Sequence, residues 1–405
     1  MKKSHIDWCP MIPDHWEEKR IKDIAFLQSG NSITSMEIDE DGEYPVYGGN
    51  GKRGYTNRYT NEGDYVLIGR QGALCGNINY AHGKFYATEH AVVVYTHNDE
   101  ITYWLGETLK AANLNRLSMT AAQPGLAVST INLQFIPYPP REERIRIAAY
   151  LDTKLSEIDR QVSLLTSKRD AYLRLKKSII NRAVTKGLNP NVKMKDSGVD
   201  LIGEVPEGWE VKRMKDIFTK WTTGITPDSK NFQYFEVDGQ KGYTWVTISD
   251  FSNKYISQSD INLSEKSIRK FTPSITRKGS LMFSFKLSVS KVAFAGQDLY
   301  TNEAIVSIPP TNRQNLGYYY YILPMLLVDN ATENIYGAKM LNQKKIANMQ
   351  MIVPPLSEQH SIATYLDGKC SKIDLIISNL DKQISKYGEL KRSLIDEVIT
   401  GKRAV

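Results

Sequence analysis

What this chain has little of narrows the field first. Only three cysteines occur in 405 residues, Cys9, Cys75 and Cys370. They lie too far apart for a zinc finger or a disulfide framework, so a reduced, cytoplasmic setting is expected. Apolar runs are short. The longest, Tyr318 to Val328, contains Pro324 and falls well below the roughly 20 residues of a membrane-spanning helix; a soluble protein is expected. The N-terminus, MKKSHIDWCPMIPDHW, lacks the apolar core of a secretion signal. Catalytic signatures are equally scarce. GRQGALCG from Gly69 is glycine-rich, but no Gly-Lys-Ser/Thr follows it, so it is no phosphate loop. The chain has no Asn-Pro-Pro-aromatic or Asp-Pro-Pro-Tyr box, which speaks against adenine methylation by the chain itself. The acidic–lysine combination SEK at Ser264 lacks a second carboxylate at nuclease spacing. The six histidines are scattered, and His90 in TEHAVVV reads as structural. No catalytic set, no metal site and no cofactor of the chain's own is expected.

What is present is repetition. IPDHWEEKRIKDI from Ile12 returns as VPEGWEVKRMKDI from Val205. PPREERIRIAAYLDTKLSEID from Pro139 returns as PPLSEQHSIATYLDGKCSKID from Pro354. The second match extends without gaps: Tyr150 aligns with Tyr365, Leu151 with Leu366, Asp152 with Asp367, Asp159 with Asp374, Tyr172 with Tyr387, Lys176 with Lys391 and Ser178 with Ser393. The stretches between the shared passages, about 26–137 and 218–352, do not match. A tandem duplication of a domain plus its connector explains the pattern, and the period is too long for a solenoid. The boundaries read as 1–140 for a first recognition domain, 141–195 for a helical spacer, 196–355 for a second recognition domain and 356–405 for a second spacer.

The connectors read as long helices. Each opens after Pro-Pro, which bars a continuing strand or helix, and carries an acid in its first turn, Glu143 or Glu358. Apolar residues then recur every three or four positions: Leu151, Leu155, Ile158, Val162, Leu165, Tyr172, Ile179 and Ala183 in the first, and Leu366, Cys370, Ile373, Ile377, Leu380, Ile384, Tyr387, Leu394 and Val398 in the second. This is a heptad seam of about five repeats, or a rod of about 60 Å. The nearest partner of matching length is the other copy, and tethering favours an intramolecular antiparallel pair over dimerisation with other chains. The fold class expected is α+β: two pseudo-symmetric mixed α/β domains separated by two long antiparallel helices.

The variable stretches read as strands and glycine turns. YPVYGGNGKRGYTNRY, DYVLIGRQGALCGNINY and HAVVVYTH suggest hairpins in the first, with a helix over Tyr103–Leu117. YTWVTISDF, SLMFSFKLSVSKVAF and EAIVSIPP, then a tyrosine-rich helix near Tyr318, make up the second. The net charge of +7 is modest, yet between Arg141 and Asp196 basic residues are about twice as frequent as acidic ones, which favours a polyanionic partner. Several glycine-flanked loops carry side chains that can grip base edges or phosphates. In the first domain these are Asn50, Lys52, Arg53, Arg58, Arg70, Gln71 and Gln123. In the second they are Thr226, Ser249, Lys286, Ser290, Lys291 and Lys339. Any one of them alone is an ordinary solvated turn residue; the set favours nucleic acid.

With these phrases in order twice over, the chain resembles the DNA-specificity subunits of type I restriction–modification systems along nearly its whole length. DSGVDLIGEVPEGWEVKRMKDI, TTGITP, GYTWVTISD, SFKLSVSKVA, NEAIV and the two helix entries carry the resemblance. In the first domain YPVYGGNGKRGY, IGRQGALCGN, ATEHAVVV and AAQPGLAVST add to it. The resemblance implies a non-catalytic subunit whose two domains each read one half of a bipartite duplex DNA site. It implies two docked methyltransferase subunits that bind S-adenosylmethionine, and a translocating endonuclease subunit using ATP and magnesium. The helix entries REERIRI and SEQHSI depart from the usual phrase on a docking surface, and the first domain lacks the TGITP phrase, so different half-sites are implied. A stiff spacer suits half-sites about 34 Å apart per helical turn. Two other readings stay open: a specificity subunit for a methyltransferase without restriction, and a coiled-coil adaptor whose heads bind protein.

Overall fold

The two repeated passages meet in space, and that is why the chain needs both of them twice. In the computed structural model, which describes residues 1–72, 74–97, 101–118, 125–199, 202–236, 242–286, 288–333 and 339–405, strand Glu17–Arg20 pairs antiparallel with Phe135–Tyr138, and Glu210–Arg213 pairs the same way with Gln350–Val353. Each pair delivers the chain through Pro-Pro into a long helix, Arg141–Lys186 of 46 residues and Leu356–Ile399 of 44 residues. Trp16 and Trp209, the tryptophans of the first repeated phrase, are both buried. The Trp16 indole N–H donates to Glu143 Oε2 at 2.8 Å, and the Trp209 indole N–H donates to Glu358. The acids that favour the helix starts therefore also anchor the strand pair. Burial alone would raise the Glu143 carboxyl pKa, but hydrogen bonds from Trp16 and His15 hold it below the ordinary value. A group so lowered contributes stability above the unfolded carboxylate range and loses it only as pH falls through the folded value.

The chain divides into two compact units, 1–168 with 380–405, and 169–379. Both long helices contribute to each unit. In the first, Arg146 Nε donates to the Val405 carbonyl at 3.2 Å and Lys391 Nζ reaches Asp159 at 2.7 and 2.8 Å, an antiparallel register. In the second, Lys176 Nζ reaches Asp374 at 2.6 and 2.8 Å. These two ion pairs are the same pair twice, since Asp159 aligns with Asp374 and Lys176 with Lys391. Lys176, which interrupts the seam in sequence, thus bridges the helices at its edge. The pairs are part exposed and specify register more than stability. Lys391→Ala is expected to change unfolding free energy by under about 1 kcal/mol, as read by urea denaturation.

The seam itself is uneven. Leu151, Leu155, Leu366 and Cys370 are buried, as are Ala183 and Val398, whereas Val162, Ile377 and Ile384 are only half-buried.

Each variable region builds two sheets. In the first unit one sheet runs 25–29, 91–96, 65–69, 78–81, and the other runs 51–56, 44–48, 84–87, 61–62. In the second unit the orders are 222–223, 305–308, 281–284, 292–295, 255–256 and 235–236, 262–263, 243–246, 300–301. The expected hairpins 44–48/51–56 and 65–69/78–81 are present. Strand Tyr65–Gly69 does not alternate buried and exposed, because both its faces are covered. Val66 and Ile68 enter the main core of that unit, while Leu67 enters a second core with Phe85 and Val93. The helix expected over Tyr103–Leu117 is shorter, Thr102–Ala111, since Asn113 takes a left-handed φ of 45° and a 3-10 turn follows. The three cysteines are buried and free. Among the described residues no helix is long and apolar enough to cross a membrane, and no group of His, Cys, Asp or Glu could hold a metal ion.

Candidate nucleic-acid interface

The stretches that fail to align in sequence share one backbone frame. Strand 44–48 runs parallel to 84–87 through Tyr86↔Val46, and strand 243–246 runs parallel to 300–301 through Trp245↔Tyr300. Immediately after, Thr88 N–H donates to the Tyr47 carbonyl at 2.9 Å, and Asn302 N–H donates to the Val246 carbonyl at 3.0 Å. His90 and Ala304 each receive a bond from the next loop, Arg70 N–H at 2.9 Å and Phe285 N–H at 3.0 Å. Arg70 and Phe285 in turn accept from Leu126 and Leu341, both at 2.9 Å. Glycines allow the close approach on the remaining side. Asn31 N–H donates to the Ala87 carbonyl at 2.9 Å and Ile225 N–H to the Thr301 carbonyl at 3.0 Å, and a Cβ on Gly30 or Gly224 would collide with those same carbonyls. So Thr88-Glu89-His90 corresponds to Asn302-Glu303-Ala304, and Arg70-Gln71 to Phe285-Lys286.

In the first unit three loops converge on this frame. The turn after Gly48 brings Asn50, whose Oδ1 accepts from Asn77 Nδ2 at 3.1 Å. Gly49 abuts the backbone carbonyls of Gln71 and His90. Arg53 is the extra residue of a β-bulge, since Val46 pairs with Gly54 while Tyr47 pairs with Lys52. Such a bulge re-aims one side chain. Arg53 is exposed, lies against Gly48 where a Cβ would strike its Cδ, and has no acid or carbonyl partner among the described residues. Lys52 folds over the Tyr55 ring at 3.8 Å and donates to its hydroxyl. Arg70 is half-buried, its Nη1 donating to Ser29 Oγ at 3.3 Å. Gln71 is exposed beside it, its backbone bridged to Gly125.

Arg58 stands apart. It follows the open end of the 44–48/51–56 hairpin, away from the turn, and is spoken for by Glu37 at 2.6 Å and the Tyr86 ring at 5.2 Å. Gln123 lies outside the described residues.

In the second unit Thr226 Oγ1 donates to Glu303, and Trp245 Nε1 to the Ile225 carbonyl at 3.0 Å, so the TGITP loop is seated on the frame. Ser249 Oγ lies 2.6 Å from Thr247 Oγ1 in the turn equivalent to that of Asn50. Lys291 Nζ donates to the Ile248 carbonyl at 3.0 Å, occupying the place of Asn77. Ser290 adopts a φ of 90°, where Gly76 stands in the first unit with a φ of 86°. A non-glycine residue there is strained, which singles out the Ser290 side chain. Lys286 lies over the Phe285 ring at 5.5 Å. Exposed Lys339 sits on strand Lys339–Met340, one residue from Met340, the counterpart of Gly125.

Two pairs of the candidate residues fall on matching positions, Asn50 with Ser249 and Gln71 with Lys286, and the other described candidates do not. Sequence reasoning missed Glu89 and Glu303, which flank the frame, and Thr88, Asn302 and Asn77. The signal was in the phrases TEHAVVV and NEAIV, which align once the buried strands after them are superposed.

A duplicated frame that presents dissimilar polar tips is the design of a two-headed recognition protein. Residues 13–165 and 206–386 match the family model for the type I restriction modification DNA specificity domain, and the chain belongs to that family. It is similar to the type I restriction enzyme EcoprrI specificity subunit of Escherichia coli, 43% identical over 140 residues, which is 34% of this chain and 35% of that protein. It is also similar to the putative type I restriction enzyme MjaX specificity subunit of Methanocaldococcus jannaschii, 22% identical over 432 aligned residues, covering 96% of this chain and 94% of that one. The similarity to the first of these spans about a third of either protein's length. A solved structure from work on complex assembly and conformational transition of the type I R-M system has the same fold, with a TM-score of 0.70 at 17% identity over 97% of this chain and 100% of that chain.

Proposed function

We propose that this chain is the DNA-recognition subunit of a type I restriction–modification complex. Each variable domain reads one half of a bipartite duplex site, and the long helices dock two adenine-methyltransferase subunits. Those partners carry S-adenosylmethionine, and a translocating endonuclease subunit that uses ATP and magnesium joins for restriction. The chain itself supplies sequence choice and no bond-breaking chemistry. The observation that carries this reading is the equivalence of the two loop frames together with the difference of their side chains. Identical backbone placement sets two heads to meet DNA in the same way. Arg70-Gln71 against Phe285-Lys286, and Thr88 against Asn302, set them to prefer different bases.

Arg53 is exposed and has no acid or carbonyl partner among the described residues, so it is free to meet a base edge or phosphate. Arg53→Ala is expected to leave the circular dichroism spectrum and melting temperature unchanged. With co-purified methyltransferase subunits it should slow methylation at one half-site by tenfold to about a hundredfold, as loss of a bidentate contact worth about 1–3 kcal/mol requires. Arg70→Ala is expected to act on the same half-site. Unchanged kinetics for both would sink the assignment of this loop cluster. An adaptor whose heads bind protein is separated by salt: DNA binding through phosphates weakens steeply with ionic strength.

A further inference from the structure

The duplication allows a comparison that no single helix could offer. Two identical partners docked by pseudo-symmetry need the same features on both copies, and some exposed positions do repeat. Leu175 and Leu390 are both exposed and both leucine, and Lys154 and Lys369 also match. One face does the opposite. On the first helix Arg174, Lys177, Arg182 and Lys186 line a shallow groove with Asn181. All four cations are exposed, and none has an acidic partner among the described residues. Their counterparts on the second helix, in the alignment that pairs Lys176 with Lys391, are Glu389, Arg392, Glu397 and Gly401, and Asn181 becomes Asp396. The five positions that hold four cations and Asn181 in one copy hold three acids, one arginine and one glycine in the other, where Arg403 lies 3.9 Å from Glu397.

A face whose charge reverses between copies cannot serve two identical subunits alike. We propose that the basic face of the first helix binds the sugar–phosphate backbone of the DNA itself, as a single-copy contact made beside the second recognition domain. This rests on the reading of the chain as a DNA-recognition subunit. Its placement within its own unit agrees. Lys177 and Asn181 also line a cleft of about 1180 Å³ whose other wall includes Ser290 and the 251–255 loop of the second domain. Ser290 belongs to the candidate interface, so Lys177 and Asn181 join the cationic groove to a cleft that a candidate reading residue lines. Within that cleft Asp367 is paired with Lys254 at 2.5 Å and Asp374 with Lys176 at 2.6 Å, and exposed Asp329 is the remaining acid of the lining. The four cations of the groove outnumber it. Arg and Lys at helical spacing, with Asn181 and Thr185 between them, suit a run of phosphates that carries no sequence information.

The test uses the full chain and a mixed-sequence 40-bp duplex, with affinity measured between 50 and 300 mM salt. Arg174→Gln, Lys177→Gln, Arg182→Gln and Lys186→Gln are combined, with Glu389→Gln/Glu397→Gln as the matched control on the other helix. A milder Arg174→Gln/Lys177→Gln variant guards against loss of folding, checked by circular dichroism. Each lost phosphate contact should lower the salt slope by about 0.9, so the fourfold variant should lose about 3.6 units of slope and the double variant about 1.8. The control should keep the parent slope. A parent slope in both groove variants, with or without reduced recovery of methyltransferase subunits, would overturn the proposal; reduced recovery would reassign the face to a protein partner. A parent chain that binds no duplex at all would instead overturn the DNA reading from which it starts.

Discussion

Trp209→Ala is expected to cost about 3–5 kcal/mol of stability in the unit that holds residues 169–379, lowering its melting temperature by on the order of 10 °C. Trp209 is 1% exposed and sits where three pieces of the fold meet. Its indole N–H donates to Glu358 in the first turn of one long helix. Its ring lies 3.2 Å from where a Cβ on Gly187 would stand, just beyond the last turn of the other. Gly187 has a φ of +72°, the left-handed residue that ends the helix, and a side chain there would meet the ring. Removing the indole opens a cavity, leaves the Glu358 carboxylate short of a donor and frees both helix ends at once. Trp209→Phe should recover the packing but not the hydrogen bond, for a cost of about 1.5–3 kcal/mol. Trp16 does the same work in the other unit, between Glu143 and Gly401, so Trp16→Ala should match Trp209→Ala. Thermal unfolding by circular dichroism checks both; a loss under about 1 kcal/mol in either would show that the tryptophan of the repeated phrase does not tie the helix ends together.

Gly224→Ala is expected to abolish recognition by the second domain while leaving the first intact. The residue lies in the TGITP loop, pressed against the Thr301 carbonyl that accepts from Ile225 N–H at 3.0 Å. A Cβ at this position would collide with backbone, which cannot swing away like a side-chain tip. The loop must lift, Thr226 must leave Glu303, and Trp245 must lose its bond to the Ile225 carbonyl. Overpacking of this kind costs about 1–3 kcal/mol or more, so half-site affinity should fall tenfold to a hundredfold or beyond. Gly30→Ala is the counterpart in the first domain, beneath the Ala87 carbonyl. Binding of duplexes with one or the other half-site scrambled separates the two heads. Equal loss in both heads from either glycine change would refute the independence of the domains.

Much of this was legible in sequence because duplication is a strong signal. The 3.6-residue spacing of Leu151, Leu155 and Ile158, with Leu366, Cys370 and Ile373, told of paired helices, and the bracketing passages told where the heads begin. The stretches 26–137 and 218–352 belong to domains expected to be pseudo-symmetric, yet their sequences do not align. Their likeness lies in backbone bonds such as Thr88 to Tyr47 and Asn302 to Val246, which many side chains satisfy. Strands buried on both faces, like Tyr65–Gly69, also carry no alternation to align. Candidate loop residues were found from chemistry, and most sit on the shared frame. Arg58 did not, because pairing with Glu37 depends on a fold that brings 21 positions of chain back together, which composition cannot show. The β-bulge that turns Arg53 outward was likewise invisible, being a matter of register between two strands.

Sequence choice here depends on two unlike heads reading one divided site. Sequencing the methylated adenines in a host that expresses this chain with its methyltransferase partners tests it most directly. The predicted result is one motif in two parts, different in sequence and held at a fixed gap, with Gly224→Ala erasing it. A continuous or palindromic motif, or a pattern indifferent to that change, would contradict it.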